Sequence, residues 1–445
     1  MRVVVAGGGL AGLVAARRAL ELGASVILLE KGDRLGGSFL YSSGYVWTYK
    51  NLPTFGREAP GGDAALQRLI LNRLAPGLSW LEDLGAPVLT RETGNPLTSG
   101  ARFAPRPTVD VLSGGIVASG GRILVRASLE DLAQDAQGRV TGVHLATAEG
   151  RGVEETDAVI LASGGFAANR ELVGRYITRG RGELRLRAPP WSTGEGFLAA
   201  LAAGAKESAG LDEFYGRNLP APPATFPPER FVEVSQLYGR HAVAINGRGE
   251  RYADEAADWS ETALTRATAF QPNLRAWYLV DGAGLRRRVR VRTVGEMVAT
   301  AREVGGTVLE AGTEAELARR LEERGIPADR VLRTLDGYNA AVAAGRGAEL
   351  TPPRGDPAAT LETPPFVAVE VAPAITHTIG GLVVDEGCRV LRRSDGRPLP
   401  GLYAAGVEVG GVSVGGYTSG LASAIVFGRT AAESAVGDQA SGLAS

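Results

Sequence analysis

The chain has 445 residues, 44% of them apolar and 22% charged, with a formal net charge of −1 at pH 7. That length suits about two or three domains with a large core, and the balanced charge gives no pull toward nucleic acid or an acidic membrane surface. A single cysteine, Cys388, excludes an intrachain disulfide or a CxxC redox pair, and three histidines (His144, His241 and His377) leave no histidine-rich metal site, so no metal is expected.

No run of about twenty apolar residues is present, so no integral membrane segment is expected. The first residues enter a strand directly, without a charged segment, an apolar stretch and a cleavage site, and the expectation is a cytoplasmic protein. Arg2-Val3-Val4-Val5-Ala6 is a β-branched run of the kind that makes a buried parallel strand. It leads into Gly7-Gly8-Gly9-Leu10-Ala11-Gly12, then into residues 13–20 with helical spacing, then into a second apolar strand that ends on Glu30. Strand, glycine turn, helix, strand and acid stand in the order a dinucleotide site requires. Gly7 permits the tight turn, Gly9 lets the backbone approach a pyrophosphate, and Gly12 lets the helix pack on the strand. The helix start offers free N–H groups to the phosphates, and Glu30 is placed to accept from a ribose. The loop after it, through Lys31, Gly36, Gly37 and Ser38, has the small residues to lie flat against a cofactor.

Further along, residues 157–166 read as a buried strand running into a Gly-Gly turn. Thr193-Gly194-Glu195-Gly196 reads as a turn before an alanine-rich helix over 197–205. Five prolines between 219 and 228 then exclude a regular helix or a central strand. The middle of the chain predicts a hairpin from 242–245 to 251–253 around Asn246-Gly247, a strand over 276–281, and amphipathic helices over 313–324 and 330–344. Thr313-Glu314-Ala315-Glu316 suits a helix start, with Thr313 as N-cap and Glu316 three residues on. The proline-rich 351–357 closes this stretch. Residues 372–382 hold His377, Thr378 and the pair Gly380-Gly381. After them come the strand 401–408, two glycine pairs at 410–411 and 415–416, and a buried helix over 421–429.

Three signatures together carry a resemblance: the glycine turn ending on Glu30, Val159-Ile160-Leu161-Ala162-Ser163-Gly164-Gly165-Phe166, and Gly401-Leu402-Tyr403-Ala404-Ala405-Gly406-Val407-Glu408. Over nearly its whole length the chain resembles the fumarate reductase/succinate dehydrogenase flavoprotein superfamily. That group includes soluble fumarate reductases, 3-ketosteroid dehydrogenases, tricarballylate dehydrogenase and urocanate reductase. The resemblance implies an α/β fold, a Rossmann-type FAD-binding domain with an inserted α+β substrate-capping domain. Residues 1–211 and 356–445 would form the FAD-binding domain, and 212–355 the cap.

By the same resemblance FAD would contact Gly7, Gly9, Gly12, Glu30, Lys31, Gly36, Gly37 and Ser38. Ala162, Gly164, Gly406 and Glu408 would complete that site. Residues 38–44 contain no histidine to carry the flavin, which implies FAD held noncovalently. His377 and Thr378 match a His-Thr-x-Gly-Gly run whose His and Thr bond a substrate carboxylate, and Gly380-Gly381 would let the backbone approach the flavin ring. His241 is the candidate for substrate binding and Arg286 for proton donation, with Arg287 and Arg288 as register alternatives. An arginine acts as acid only in a closed, dry site.

Two departures stand out. No arginine follows Glu255 within residues 256–259, where the family places a proton relay. Residues 412–420 also lack the histidine and arginine that grip a second carboxylate. They offer Tyr417 and Ser419 instead, and by analogy with ketosteroid dehydrogenases Tyr417 would bond a ketone oxygen with Ser419 assisting.

The expected activity is an FAD-dependent dehydrogenase or reductase that reduces or introduces a C=C bond beside a carboxylate or ketone, by hydride exchange at flavin N5. The partners implied are a small unsaturated acid or ketone and a diffusible electron donor or acceptor. The alternatives are a 3-ketosteroid dehydrogenase-like enzyme using Tyr417, another flavoprotein class such as an amine oxidase or monooxygenase, and a noncatalytic flavin-binding protein.

Overall fold

The computed structural model describes residues 1–259 and 261–440. They form two compact units. The first contains Met1–Ile177, Ala188–Tyr215 and the described residues from His377 onward; the second contains Thr178–Arg187 and Gly216–Thr376.

The first unit is built on a six-stranded sheet in the order Arg389–Leu391, Pro398–Ala404, Ala158–Leu161, Arg2–Ala6, Ser25–Glu30, Arg122–Val125. Five strands are parallel, and Arg389–Leu391 is an antiparallel edge. Val4 pairs with Val159 on one side and Ile27 on the other. Val3 to Ala6 and Val159 to Leu161 are all buried, as a parallel sheet covered on both faces demands. The helix Leu10–Glu21 packs on the long helix Gly420–Ala440, where a Cβ placed on Gly428 would lie 2.7 Å from the Ala11 carbonyl. This last helix continues well past the predicted 421–429, because Ala431, Ala432 and Ala435 extend its buried face. Two three-stranded antiparallel sheets complete the unit, one of them Tyr45–Tyr49, Thr98–Phe103 and Val88–Thr90. Cys388 sits in the turn before the edge strand, fully buried at φ +61°, and burial pushes its thiol pKa up.

The second unit centres on the strand Phe366–Thr378 as far as Thr376. It pairs antiparallel with Ala276–Val280 and Val308–Ala311, and parallel with Arg185–Leu186. Alternate residues supply two cores. Val243, Ile245, Trp277, Leu279 and Ala368 meet Leu317, Leu321 and Leu335 of the helices Glu314–Glu322 and Ala328–Ala343. Ala244, Ala276, Tyr278, Val280, Val367 and Val369 meet Met297, Val298 and Ala301 of the helix Val294–Glu303.

One local expectation is corrected and one is met only in part. The hairpin at Asn246-Gly247 does not form a ladder. The Asn246 side chain accepts from the Arg248 and Glu250 N–H groups, Gly249 rather than Gly247 takes positive φ, and Ile245 meets Arg251 in a single bridge. The strand Val243–Ile245 pairs with Ala276–Val280 instead. Thr313 caps its helix by accepting from Glu316 N at 3.1 Å, but the Glu316 carboxylate takes the Gly312 N–H, so the pair does not close a capping box. A closed capping box occurs at Thr293 and Glu296. Among the described residues no helix is long and apolar enough to cross a membrane, and no group of three His, Cys, Asp or Glu is arranged to hold a metal.

Candidate active site

The glycine turn of the first unit assigns a different reason to each glycine. Gly7 has φ +117°, and a Cβ there would lie 2.2 Å from the Ala162 carbonyl oxygen. A Cβ on Gly12 would lie 1.8 Å from the Gly7 carbonyl oxygen. Both are glycines because backbone fills the space. A Cβ on Gly9 would meet nothing closer than the Gly37 Cα at 4.0 Å, so an open cradle lies above it. The helix starting from Gly9 has no side-chain cap, which leaves its first N–H groups and its positive end for an anion. Gly36 donates to the Gly8 carbonyl at 2.8 Å, laying the next loop along the turn. Glu30, nearly fully buried, accepts from Gly8 N at 2.9 Å and Gly32 N at 2.5 Å, and burial raises its pKa. Ser38 lies half-buried in the short turn Gly37–Tyr41. The Lys31 side chain is engaged elsewhere: its Nζ bonds Glu195 Oε1 and Thr193 Oγ1 at 2.5 Å.

The second and third signatures meet at Glu408. This carboxylate is fully buried; its Oε1 accepts from the Gly165 N–H at 3.0 Å and from the Ser163 hydroxyl. Gly164 and Gly165 come after Ala162 at φ +91° and +69°, a left-handed pair that turns the chain back toward this oxygen. Burial raises the Glu408 pKa, and its Oε2 has no hydrogen-bond partner among the described residues. Gly406 has a packing reason, since a Cβ there would lie 2.8 Å from the Ala11 Cβ. An open cradle at Gly9, an uncapped helix start, the buried Glu30 and the orphan oxygen of Glu408 together fit an extended dinucleotide such as FAD. Ser163, which ties Glu408 to the turn, was not singled out from sequence.

Thr378 adjoins this arrangement. It is 3% exposed, its Oγ1 has no partner among the described residues, and it lies 2.9 Å from where a Gly165 Cβ would be. His377 Nδ1 is 2.9 Å from the Thr378 carbonyl oxygen. A carbonyl only accepts, so Nδ1 carries the proton, and Nε2 is the atom facing Gly420, 2.9 Å from a Cβ placed there. Gly380 and Gly381 are not explained by approach to a flavin ring. Cβ atoms on them would lie 2.4 Å from Leu211 N and 2.5 Å from the Glu408 carbonyl oxygen, so the close approach is to the protein's own backbone.

Tyr417 belongs to an aromatic cluster. It stacks on Tyr215 with ring centroids 3.8 Å apart and an interplanar angle of 8°. Trp47 meets it edge-on at 5.7 Å, and His377 lies 5.1 Å from Tyr215. Tyr49 donates its hydroxyl to the Tyr417 carbonyl at 2.9 Å. Sequence reasoning missed Tyr215 and Trp47. The signal for Trp47 was there in the alternation Tyr45, Trp47, Tyr49, which puts three aromatic rings on one face of a strand. Ser419 is fully buried, donates its hydroxyl to the Tyr45 carbonyl at 3.2 Å and receives the Ala422 N–H, so its hydroxyl is used in starting the last helix.

His241 and Arg286 belong to the second unit. His241 lies in the short turn Gly239–His241; burial, with Arg240, Arg287 and Arg354 nearby, lowers its pKa to about 4. Arg286 is exposed at the end of the short helix Gly282–Leu285. Glu255 is held by arginines that lie outside residues 256–259. Arg251 holds Glu255 Oε2 at 2.6 Å and Arg354 holds it at 3.2 Å, while Ala244 N donates to Oε1. A contact spanning 99 residues leaves no local signal in the sequence.

The family described as "FAD binding domain" matches residues 2–424. NADH:acrylate oxidoreductase of Vibrio harveyi is 27% identical over 97% of this chain, which spans 50% of that protein's length. The structure described as the open conformation of a flavocytochrome c3 fumarate reductase is 25% identical, with a TM-score of 0.74 over 98% of this chain and 78% of its own. The 3-ketosteroid-Δ4-(5α)-dehydrogenase of Rhodococcus jostii RHA1, solved with 4-androstene-3,17-dione, shares the fold at 23% identity, with a TM-score of 0.77 over 98% of this chain and 96% of its own.

Proposed function

The chain belongs to the FAD binding domain family, and from that premise we propose that it is an FAD-dependent oxidoreductase that reduces, or in reverse introduces, a C=C bond beside a carboxylate or ketone. The named relatives that act on acrylate and fumarate support this reading. The observation that carries it is the His377–Thr378 pair, set against the Gly165 turn that Glu408 ties into the cofactor cradle. FAD, when bound, supplies hydride exchange at its flavin N5. It is held noncovalently by the backbone of Gly7, Gly9, Gly12, Lys31, Gly36, Gly37 and Ser38, by the turn from Ala162 to Gly164, by Gly406, and by Glu30 and Glu408.

The protein's own part is to orient and polarise the substrate. Thr378 Oγ1 donates to the substrate carbonyl or carboxylate oxygen. His377, with its Nδ1 proton held by the Thr378 carbonyl, presents Nε2 to the same oxygen and donates from it when the ring is protonated. Drawing charge onto that oxygen stabilises the enolate-like transition state, an effect worth about 10²–10³ in rate per donor. Tyr417, in the same unit as His377 and Thr378, is the proton-transfer candidate for the neighbouring carbon. Within this chain a single cysteine leaves no cysteine-ligated cluster or haem-attachment motif, and the electron partner in this reading is a diffusible donor or acceptor.

The test is anaerobic. The flavin of the purified holoenzyme is reduced, and its absorbance is followed while unsaturated acids and then cyclic enones are added. Reoxidation by either group is expected; saturated ketones and acids added to the oxidised enzyme probe the reverse direction. Silence in both directions would remove this function. A 3-ketosteroid dehydrogenase-like enzyme is the second reading, favoured by Tyr417 standing in residues 412–420, which hold no arginine, lysine or histidine, and reoxidation by cyclic enones alone would select it.

A further inference from the structure

Granted the function just proposed, on which this inference rests, the aromatic cluster around Tyr417 bears on which substrates the site takes. Residues 412–420 contain no arginine, lysine or histidine, so this segment offers no cation to a second carboxylate. A dicarboxylate brought here would give up hydration of that charge without a charge-assisted partner from it. What the segment offers is the flat ring of Tyr417, backed at 3.8 Å by Tyr215 and flanked edge-on at 5.7 Å by Trp47. Trp47, Tyr215 and Tyr417 are all half-buried, so the rings keep part of their surface accessible. His377, whose Nε2 faces the Gly420 backbone, lies 5.1 Å from the Tyr215 ring, which puts the polarising group and the aromatic wall side by side in one unit.

We infer that the substrate is an α,β-unsaturated acid or ketone whose double bond is conjugated to a flat, uncharged ring. Trp47, Tyr215 and Tyr417 determine this specificity. Conjugation keeps ring and double bond coplanar, so a ring lying parallel to Tyr417 holds the double bond in a fixed plane while His377 and Thr378 take the oxygen at the other end. Offset or parallel stacking suits sp² rings and not the puckered rings of a saturated skeleton. The reaction adds two electrons and two protons across the double bond and leaves the ring intact.

The experiment compares cinnamate, acrylate, fumarate and 2-cyclohexenone as oxidants of the reduced holoenzyme, by kcat and KM separately. Cinnamate is expected to have the highest kcat/KM. Tyr215→Leu and Trp47→Leu should each lower the cinnamate-to-acrylate ratio about 2- to 10-fold, mostly through KM, and Tyr215→Phe should preserve it. A second readout needs no turnover. The product 3-phenylpropanoate added to the oxidised holoenzyme should quench tryptophan fluorescence, and Trp47→Phe should abolish that quench. Efficient turnover of fumarate or acrylate with none of cinnamate would overturn the inference and leave the proposed function standing. No turnover of any of the four, in either direction, would take both away. Equal loss of all substrates in Tyr215→Phe would also count against the inference, since that change keeps the ring.

Discussion

The Nδ1 of His377 is committed to the carbonyl of its own neighbour, 2.9 Å away, and this fixes what the other nitrogen can do. With the proton on Nδ1, a neutral ring can only accept at Nε2. To donate to an oxygen from Nε2, the ring must hold a second proton. His377→Ala should keep bound FAD, since none of the cradle contacts involves it, and should lower kcat by about 10²–10⁴-fold. The check is the flavin-to-protein absorbance ratio beside steady-state kinetics; unchanged turnover would remove His377 from the site. The sequence marked His377 and Thr378 because both lie in one short run. It did not mark Tyr215, which reaches Tyr417 from 202 residues away along the chain, nor Arg354 on Glu255. Residues that meet only through tertiary packing leave no spacing to read.

At the level of elements, the strand–turn–helix at the start of the chain was legible because each step is local. Its β-branched residues pack in a parallel sheet, its glycines make the turn, and Glu30 ends the next strand. The Asn246-Gly247 hairpin was not, because side-chain bonds from Asn246 redirect a turn that the dipeptide alone would make two residues long. The two kinds of glycine in the first turn can be separated by experiment. Gly9→Ala places its methyl in open space at an ordinary φ of −72°, so the apoprotein should keep its stability within about 0.5 kcal/mol while FAD content falls. Gly12→Ala drives a methyl to 1.8 Å from the Gly7 carbonyl oxygen, so the apoprotein itself should lose stability. Thermal melts of apoprotein and flavin titrations of both variants provide the measurement. Equal FAD affinity for Gly9→Ala and wild type would mean that the cofactor does not approach there.

For the molecule as a whole, half-buried His241 and buried Glu261 of the second unit pull the pH dependence of stability in opposite directions. Burial, aided by Arg240, Arg287 and Arg354, lowers the His241 pKa from 6.5 to about 4. Between those values the unfolded chain binds a proton that the fold refuses, so stability falls as pH drops from 6.5 toward 4. Burial raises the Glu261 pKa from 4.5 to about 7, with Arg217 opposing it. There the unfolded chain releases a proton that the fold retains, so stability falls as pH rises from 4.5 toward 7. Melting temperatures across pH 4 to 7.5 should therefore show the acid-side loss shrinking in His241→Asn and the neutral-side loss shrinking in Glu261→Gln. Profiles identical to wild type would mean that neither group differs between folded and unfolded chains. The pattern was invisible in the sequence, where neither residue stands among all the arginines that surround it in the fold.

Cys388, enclosed in the turn before the edge strand with its thiol held in the neutral form, has a practical corollary. Thiol-directed reagents require a thiolate they can reach, so the folded chain is silent toward maleimides without any substitution. A cysteine introduced at an exposed position of either unit would then be the only one to react. Fluorophore or spin-label pairs could be installed one site at a time, on an otherwise native flavoprotein, to measure the distance between its two units as substrate is added.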